Sequence, residues 1–455
     1  AGEYTLEAFE PYTLRFLKII ALKGSCTVSE MGLRDFENPD TDRAAFAAPD
    51  ERLTTLFEAG IATYAQNALD AFMDCPHRER AGWLCDSFFT ARSAFVLSGN
   101  TDVEDVFLEN YLLPDGFAHL PEGMLPMCYP ADHNDGVFIP NWALWFVVQL
   151  GEYPARGGDP ALVKALEGKV LALFDYFKQF KNSDGLLEKL ESWVFIEWSE
   201  ANRHVQDVNY PSNMLYAAAL STAARLYDRP ELEAEAIAIR NTILKQSFDG
   251  TFFVDNALRQ EDRLEVTTNR TEVCQYFAFY FNLASPGSHP ELWARLRDEF
   301  GPGRRESKAH PEIGFANSFI GSMLRLELLS RHGECKQILD ESIDYLLYMA
   351  ERTGTLWENV DDHASLNHGF ASHIVYTLYR DVLGVHRIDP VNRIVGLRFH
   401  EVGMPWCRGT IPVGEDAISL EWREEEGKRF YRISVPDGYT IEVDNQSGRE
   451  LVVEN

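Results

Sequence analysis

The chain has 455 residues, 45% of them apolar and 12% aromatic, enough for a large core and too long for one ordinary small domain. Its 71 acidic residues against 42 basic ones give a formal charge of −29, which repels phosphate backbones and anionic lipid, so neither nucleic acid nor a membrane surface is an expected partner. No run approaches the roughly 18 consecutive apolar residues of a membrane span, and residue 1 has neither an initiator Met nor a signal-peptide pattern, so the start reads as cut or processed and the compartment stays open between bacterial periplasm and cytoplasm.

Residues 1–49 alternate in short stretches, Tyr12, Leu14 and Phe16 against Thr13 and Arg15, and then reach turns at Gly24, Gly32 and Pro39. This reads as β-structure too short to close its own sandwich, and it is expected to be the end of an N-terminal β-sandwich domain or to pack on the region C-terminal to it. From Asp50 the period changes. Leu53, Leu56, Phe57, Ile61, Tyr64, Ala65, Leu69 and Phe72 form one apolar helix stripe, and helical signals recur to about residue 384. Thr101 with Glu104 has a capping-box pattern, Asp159-Pro160 reads as an N-cap followed by a first-turn proline, and Pro230 opens a further helix.

The signals amount to about twelve helices, and their links alternate in length. Links near 99–100, 155–159, 228–229, 284–289 and 332–334 are short. Those near 73–86, 113–138, 182–207, 248–266, 300–312 and 353–364 are long and hold most of the Trp, His and carboxylate groups outside the helices. With consecutive helices antiparallel, every long link emerges at one end of the bundle, the end built for function. The pattern predicts a mainly α fold, a closed (α/α)6 barrel over 50–386, in which closure brings link 73–86 beside link 353–364. An open solenoid is the alternative, but no repeated signature supports it. After about 387 the period returns to two, in 417–422 and 430–435, predicting a C-terminal β-sandwich over 387–455 with a structural role. The cysteines Cys26, Cys75, Cys85, Cys128, Cys274, Cys335 and Cys407 form no CxxC pair or zinc-type cluster, and are expected to be mostly buried free thiols rather than to include a Cys75 to Cys85 bridge.

The first long link runs Asp74-Cys75-Pro76-His77-Arg78-Glu79-Arg80-Ala81-Gly82-Trp83-Leu84-Cys85-Asp86. Pro76 stops helix continuation, Gly82 permits an unusual dihedral and Asp86 can cap the next helix. Taken alone, the segment reads equally well as a cap with structural ion pairs. The last long link contains Trp357-Glu358-Asn359-Val360-Asp361-Asp362-His363 and Ser365-Leu366-Asn367-His368. Trp357 suits the apolar face of a sugar, while His368 taken alone reads as a buried, hydrogen-bonded histidine. Two carboxyl groups on opposed walls are what glycoside hydrolysis requires, one protonating the leaving oxygen and one taking a proton from water, about 6.5 to 9.5 Å apart for inversion. Glu79 is the expected acid, with Asp74 and Asp86 binding sugar hydroxyls and keeping it protonated against the pull of Arg78 and Arg80. From the middle links, Asp135, Trp142 and Trp198 are expected to line the pocket, and Trp145 to pack in the core. His133, His204, His363 and His368 fall in no ligand spacing, so no metal or other cofactor is expected.

The stretch from Asp74 to Asp86 resembles the signature of the inverting α-L-rhamnosidases of glycoside hydrolase family 78, in which Asp-Cys-Pro is followed by an Arg/Glu-rich turn, Gly-Trp and an acidic residue. Trp357-Glu358 with Ser365-Leu366-Asn367-His368 resembles the family's second catalytic segment, and 409–435 its terminal β-sandwich, so the likeness extends from Phe9 to the C-terminus. The resemblance implies an (α/α)6 catalytic barrel flanked by β-domains, net inversion, Glu79 as general acid and Glu358 as general base. It also implies that Asp74, Arg78, Trp83, Asp86 and His368 hold the rhamnose of an oligosaccharide or polysaccharide, which for His368 reverses the reading from the residue alone. The chain departs from the family in His133-Asn134-Asp135-Gly136 where members often have Trp-Gly-Asp-Ala, in Glu197-Trp198 where they have Asp-Trp, and in Cys85 where a small residue is usual. The expected activity is that of an exo-acting α-L-rhamnosidase. A hydrolase of another deoxyhexose or an unsaturated uronide is the alternative; carboxylates at the mouth argue against an anionic sugar. A non-catalytic glycan-binding protein is a third reading, against which the presence of both glutamates argues.

Overall fold

The structure, a computed structural model, describes residues 2–8, 12, 14 and 16–454. Among these no strand forms before Ala45, which departs from the expected N-terminal β-structure; Thr13 and Arg15 of its alternating run lie outside the described residues. Phe16 and Leu22 are 89% and 94% exposed, and a strand needs a neighbouring strand to satisfy its backbone and cover its apolar face. The first strand, β1 (Ala45–Ala47), finds its neighbour at the other end of the chain.

The helices run in the order α1 (Glu51–Asn67), α2 (Asp86–Ser98), α3 (Asp102–Leu112), α4 (Pro140–Glu152), α5 (Pro160–Ala165), α6 (Glu167–Phe177), α7 (Tyr210–Tyr227), α8 (Pro230–Ser247), α9 (Glu272–Tyr280), α10 (Pro290–Glu299), α11 (Arg304–Ser307), α12 (Gly321–Arg331), α13 (Cys335–Thr353) and α14 (His373–Thr377). Because α5 and α6 form one rod broken at Leu166, α11 is a single turn, and α14 continues from a 3-10 turn into a π turn to make one helical run over 369–383, the described residues build twelve rods. Every residue of α2 is buried, and α4, α7, α9, α12 and the 369–383 run are buried around most of their circumference, as an inner ring demands. The helices α1, α3, α6, α8, α10 and α13 bury one face each and form the outer ring.

The ring closes where α14 packs on α2 and α1 on α13. Backbone bonds stitch the seam: Gly369 N–H donates to Asp74 O (2.8 Å) and Leu356 N–H to the Thr63 hydroxyl (2.8 Å). The long links, 68–85, 113–139, 178–209, 248–271, 300–320 and 354–368, all lie at one end. Asp159 caps α5 through Ala161 N–H (2.8 Å), and Pro230 opens α8. Thr101 makes no side-chain cap on α3; Glu104 is drawn instead into a buried pair with Arg156 (2.6 Å), because a desolvated charge needs its counterion more than a helix end needs a box.

Within the links, β2 (Val208–Asn209), β3 (Asn256–Gln260) and β4 (Arg263–Val266) make a small sheet. After the ring come β5 (Val385–Asp389), β6 (Ile394–His400), β7 (Trp406–Val413), β8 (Asp416–Glu425), β9 (Lys428–Ser434), β10 (Thr440–Gln446) and β11 (Glu450–Val453), arranged as a five-stranded sheet β1-β7-β8-β9-β11 and a three-stranded sheet β10-β6-β5. The cysteines are free, all buried except Cys26. No helix among the described residues is long and apolar enough to cross a membrane.

Candidate active site

Five of the six long links, all but 248–271, line a cavity of about 1020 Å³. The first link is closed at its base by Asp74, whose N–H donates to Ala81 O (3.0 Å) and whose carboxylate accepts from Ala81 N–H (3.0 Å). It then pairs with the second link, Leu84 N–H donating to Met127 O (2.9 Å) and Tyr129 N–H to Gly82 O (2.9 Å). Gly82 is required for space rather than for its dihedral, since a Cβ there would stand 2.4 Å from Tyr129 O. The last link folds back on itself, with Glu358 N–H donating to Ser365 O and His368 N–H to Leu356 O, both at 2.9 Å. In such an extended pair successive side chains face opposite ways.

That alternation decides two expectations. Glu358 faces the cavity. Its neighbour Trp357 faces away, 1% exposed, its indole N–H donating to the Thr353 hydroxyl (2.8 Å) and its ring edge-on to Tyr348, so it is a wall support and does not line the cavity. Asp135 likewise lies outside, exposed, its carboxylate engaged by Val137 N–H (3.1 Å) two residues on in its own turn. The other expected residues, Asp74, Arg78, Glu79, Trp83, Asp86, Trp142, Trp198 and His368, all line the cavity with Glu358. Trp145 packs in the core against Phe88 and Phe281.

Glu79 and Glu358 face one another across a single guanidinium group: Arg78 Nη2 lies 2.9 Å from Glu79 Oε1 and 3.9 Å from Glu358 Oε2. Glu79 Oε2 also accepts from the Trp83 indole N–H (2.9 Å), and His133 Nε2 stands 3.9 Å away. Glu358 accepts from Ser365 N–H (3.1 Å). Behind it, His368 Nδ1 lies 3.7 Å off while its Nε2 contacts Asp86 Oδ1 at 2.9 Å. Asp86 is therefore no cap, being the first residue of α2 with its carboxylate turned to the imidazole; burial pushes it up to about 6 despite that partner. His368 is raised too: burial opposes its charge, but the bond to Asp86 and the charges of Asp86, Glu358 and Asp74 outweigh it. The groups nearest Glu79 are thus Arg78, Trp83 and His133, not the aspartates expected to control it. Two polar atoms of this floor, Asp74 Oδ2 and His368 Nδ1, are buried without a hydrogen-bond partner among the described residues.

Trp142 stacks on Phe319 (6.0 Å, 24°), and Trp198 stands 43% exposed beside Phe195 and Trp193. Glu197 does not line the cavity; fully buried and pushed up to about 7 by that burial, it accepts from Gly321 N–H (2.9 Å) and Asn317 N–H (3.2 Å) and so anchors the fifth link. Asn317, placed by Glu197, donates to Trp198 O (2.6 Å) and to Asn359 Oδ1. Asn317, Phe319, Trp193, Arg203 and Arg305 also line the cavity; of these only Trp193 falls in a segment, 191–198, that is expected to line it. Three of these stand in long links already marked as functional; Asn317 and Phe319 fall just beyond the expected end of theirs. Among the described residues no group of His, Cys, Asp and Glu is arranged to hold a metal ion.

Residues 41–382 match the family model described as the bacterial alpha-L-rhamnosidase 6 hairpin glycosidase domain. Similar solved structures include the GH78 family rhamnosidase of Bacillus sp. GL1, with 20% identity over 90% of this chain and 44% of that one and a TM-score of 0.79. The α-L-rhamnosidase from Dictyoglumus thermophilum is 14% identical over 88% of this chain and 45% of its own, with a TM-score of 0.67. The Streptomyces avermitilis α-L-rhamnosidase complexed with L-rhamnose is 17% identical over 88% and 38%, with a TM-score of 0.68. The chain therefore spans less than half the length of each, and the likeness is one of fold. No curated protein matches it in sequence. With the family model covering well over half of the chain, and a six-hairpin ring of the matching architecture, this chain belongs to the family of the bacterial alpha-L-rhamnosidase six-hairpin glycosidase domain.

Proposed function

We propose that the protein is an exo-acting α-L-rhamnosidase that removes terminal α-L-rhamnosyl residues from oligosaccharides or polysaccharides with inversion, Glu79 acting as general acid and Glu358 as general base. The observation that carries this reading is the meeting of these two glutamates, from the first and last links of the ring, on either side of Arg78 in one cavity. The shared guanidinium, 2.9 Å from one and 3.9 Å from the other, supports a pair of carboxyls near enough for one to protonate a leaving oxygen while the other activates water. The rhamnose bound in the Streptomyces relative supports the choice of sugar.

Glu79 delivers its proton to the glycosidic oxygen as the bond to the anomeric carbon breaks. A water held by Glu358 adds to that carbon from the opposite face and gives its proton to Glu358. Asp74 and His368, which line the floor, hydrogen-bond the hydroxyls of the sugar, while Trp142 offers an apolar wall. Arg78, which lines the cavity beside both carboxylates, is a further group that holds the sugar. A floor closed by Asp74, Asp86 and His368, all buried, suits a chain end rather than an internal residue.

Turnover of an aryl α-L-rhamnoside tests the assignment. Glu79→Gln and Glu358→Gln should each lose about 10²-fold or more while melting with the parent, and an unchanged rate in either removes that residue from its role. NMR of the first-formed product decides the stereochemistry, since retention would demand carboxyls only about 5–5.5 Å apart. Sugar affinity without any product would instead identify a binding protein.

A further inference from the structure

The cavity is larger than one sugar ring fills, standing at about 1020 Å³ at the top of the roughly 300–1,000 Å³ range of small-molecule sites. Its charges are also layered. The carboxylates Asp74, Asp86 and Glu358 form the buried floor with His368, whereas Arg203 and Arg305 stand exposed at the mouth beside the exposed rings of Trp193 and Trp198. The mouth thus carries cations as well as the carboxylates expected there.

Both arginines are presented by ordered turns. Arg203 belongs to the 3-10 turn Glu200–His204, which Ser199 caps and whose Asn202 carboxamide accepts from Ile196 N–H (2.8 Å). Arg305 lies 5.2 Å over the Phe315 ring and donates to Ala316 O (3.1 Å), leaving the rest of its fork free. The turn beneath it is locked by the buried Arg304, which pairs with Glu272 (2.5 Å) and donates to His310 O and Ile313 O. Neither Arg203 nor Arg305 has an ion-pair partner among the described residues. Two acidic residues share the rim, but neither comes within 4 Å of these guanidinium groups: Glu200 lies over Gly314, where a Cβ would stand 2.9 Å from its Oε2, and Asp361 sits on the link of Glu358.

We propose that the outer half of the cavity is a subsite for a carboxylate-bearing sugar, a hexuronic acid to which the terminal rhamnose is linked, with Arg203 and Arg305 receiving the carboxylate and Trp193 and Trp198 the ring. Planar, weakly hydrated forks match a carboxylate bidentately, and exposed indoles in a concave site match the apolar face of a pyranose. The proposal rests on the rhamnosidase reading for the linkage but not for the binding of the acid.

The test compares a disaccharide of rhamnose α-linked to a hexuronic acid with its methyl ester, which removes the charge alone. The free acid should have a kcat/KM about tenfold higher or more, and the preference should shrink as salt is raised. Arg203→Ala and Arg305→Ala should each bring the acid-to-ester ratio toward one, while Arg305→Lys keeps part of it. Equal rates on acid and ester, or a ratio that neither alanine variant alters, would overturn the proposal. Calorimetric titration of the unmodified protein with a methyl glycoside of the uronic acid, and with its ester, separates the two readings. A preference for the acid without cleavage of any rhamnoside sinks the enzyme assignment and keeps the subsite; cleavage of rhamnosides without that preference does the reverse.

Discussion

Cys85, the residue before Asp86, holds φ 73° and ψ −52°, where an L-residue stands at a cost of about 1–3 kcal/mol. The return is the aim of Asp86 at His368, and through it the support of Glu358. Asp86→Asn should therefore lower kcat more than it raises KM, read from the kinetics of an aryl rhamnoside, with a melting temperature close to the parent's. Buried acids also set the response of the fold to pH. Asp86 is raised to about 6, and Asp255 and Glu197 to about 7, all chiefly by burial. A carboxyl raised above its unfolded value contributes stability that is complete below about pH 4 and is lost as pH rises through its folded value, at up to about 1.4 kcal/mol per pH unit and group. Melts between pH 5 and pH 8 should thus fall for the parent and flatten in Asp255→Asn; parallel profiles would acquit Asp255. The two tryptophans of unlike placement give a further contrast: Trp357→Ala should cost about 3–5 kcal/mol in denaturant unfolding, whereas Trp198→Ala should weaken substrate binding with little change in stability.

At the scale of elements, the links behave as paired strands rather than as loose loops. The seam between first and last links admits no side chain at Gly369, where a Cβ would stand 2.5 Å from Met73 O and 3.1 Å from Asn67 Cβ. Gly369→Ala should cost about 1–3 kcal/mol and depress turnover as well, because the shifted seam carries both Asp74 and His368; a stable variant of full activity would show that the seam can yield. This scale also shows what a sequence discloses. Helices such as α1 and α7 are legible because a 3.6-residue stripe must be buried on one side, and the long links because polar and aromatic residues accumulate where that stripe stops. The facing of a link residue has no such period. Trp357 and Glu358 are adjacent, equally suited to a sugar, and face opposite ways because of a pairing with 365–368 that spacing does not reveal. Asp135 satisfies its own turn, Glu197 a distant backbone, and Arg203 and Arg305 gain meaning from each other's presence at one rim.

Over the whole molecule, ring closure is readable from the alternation of link lengths, since twelve antiparallel rods with one elaborated end must bring first and last hairpins together. The polar axis of the ring is not. Among the inner helices, Glu327 of α12 receives Arg92 of α2 (3.0 Å), Arg380 (2.8 Å) and His373 (3.2 Å) of the last helical run, and Arg92 also pairs with Glu152 of α4 (2.6 Å). Burial alone would raise Glu327, but Arg380 and Arg92 hold it well below the carboxylate range. Glu327→Ala leaves Arg92 to Glu152 and Arg380 to Asp381 alone, with part of each buried fork unpaired, and should cost about 1–3 kcal/mol in chemical denaturation; a loss under about 1 kcal/mol would mean that water reaches them. The pairing of β1 with β7 reaches further still. Ala45–Ala47, ahead of the ring, lies in one sheet with strands that come after it, the Tyr379 hydroxyl lies 3.1 Å from Ala45 O and 2.8 Å from Thr410 O, and Trp422 Nε1 donates to Leu383 O (3.0 Å). A ring trimmed away at residue 386 would forfeit its clasp, baring an edge strand and a tyrosine at the very point where the circle is fastened. Anyone wishing to transplant this ring into another protein must carry the terminal sheet along as its buckle.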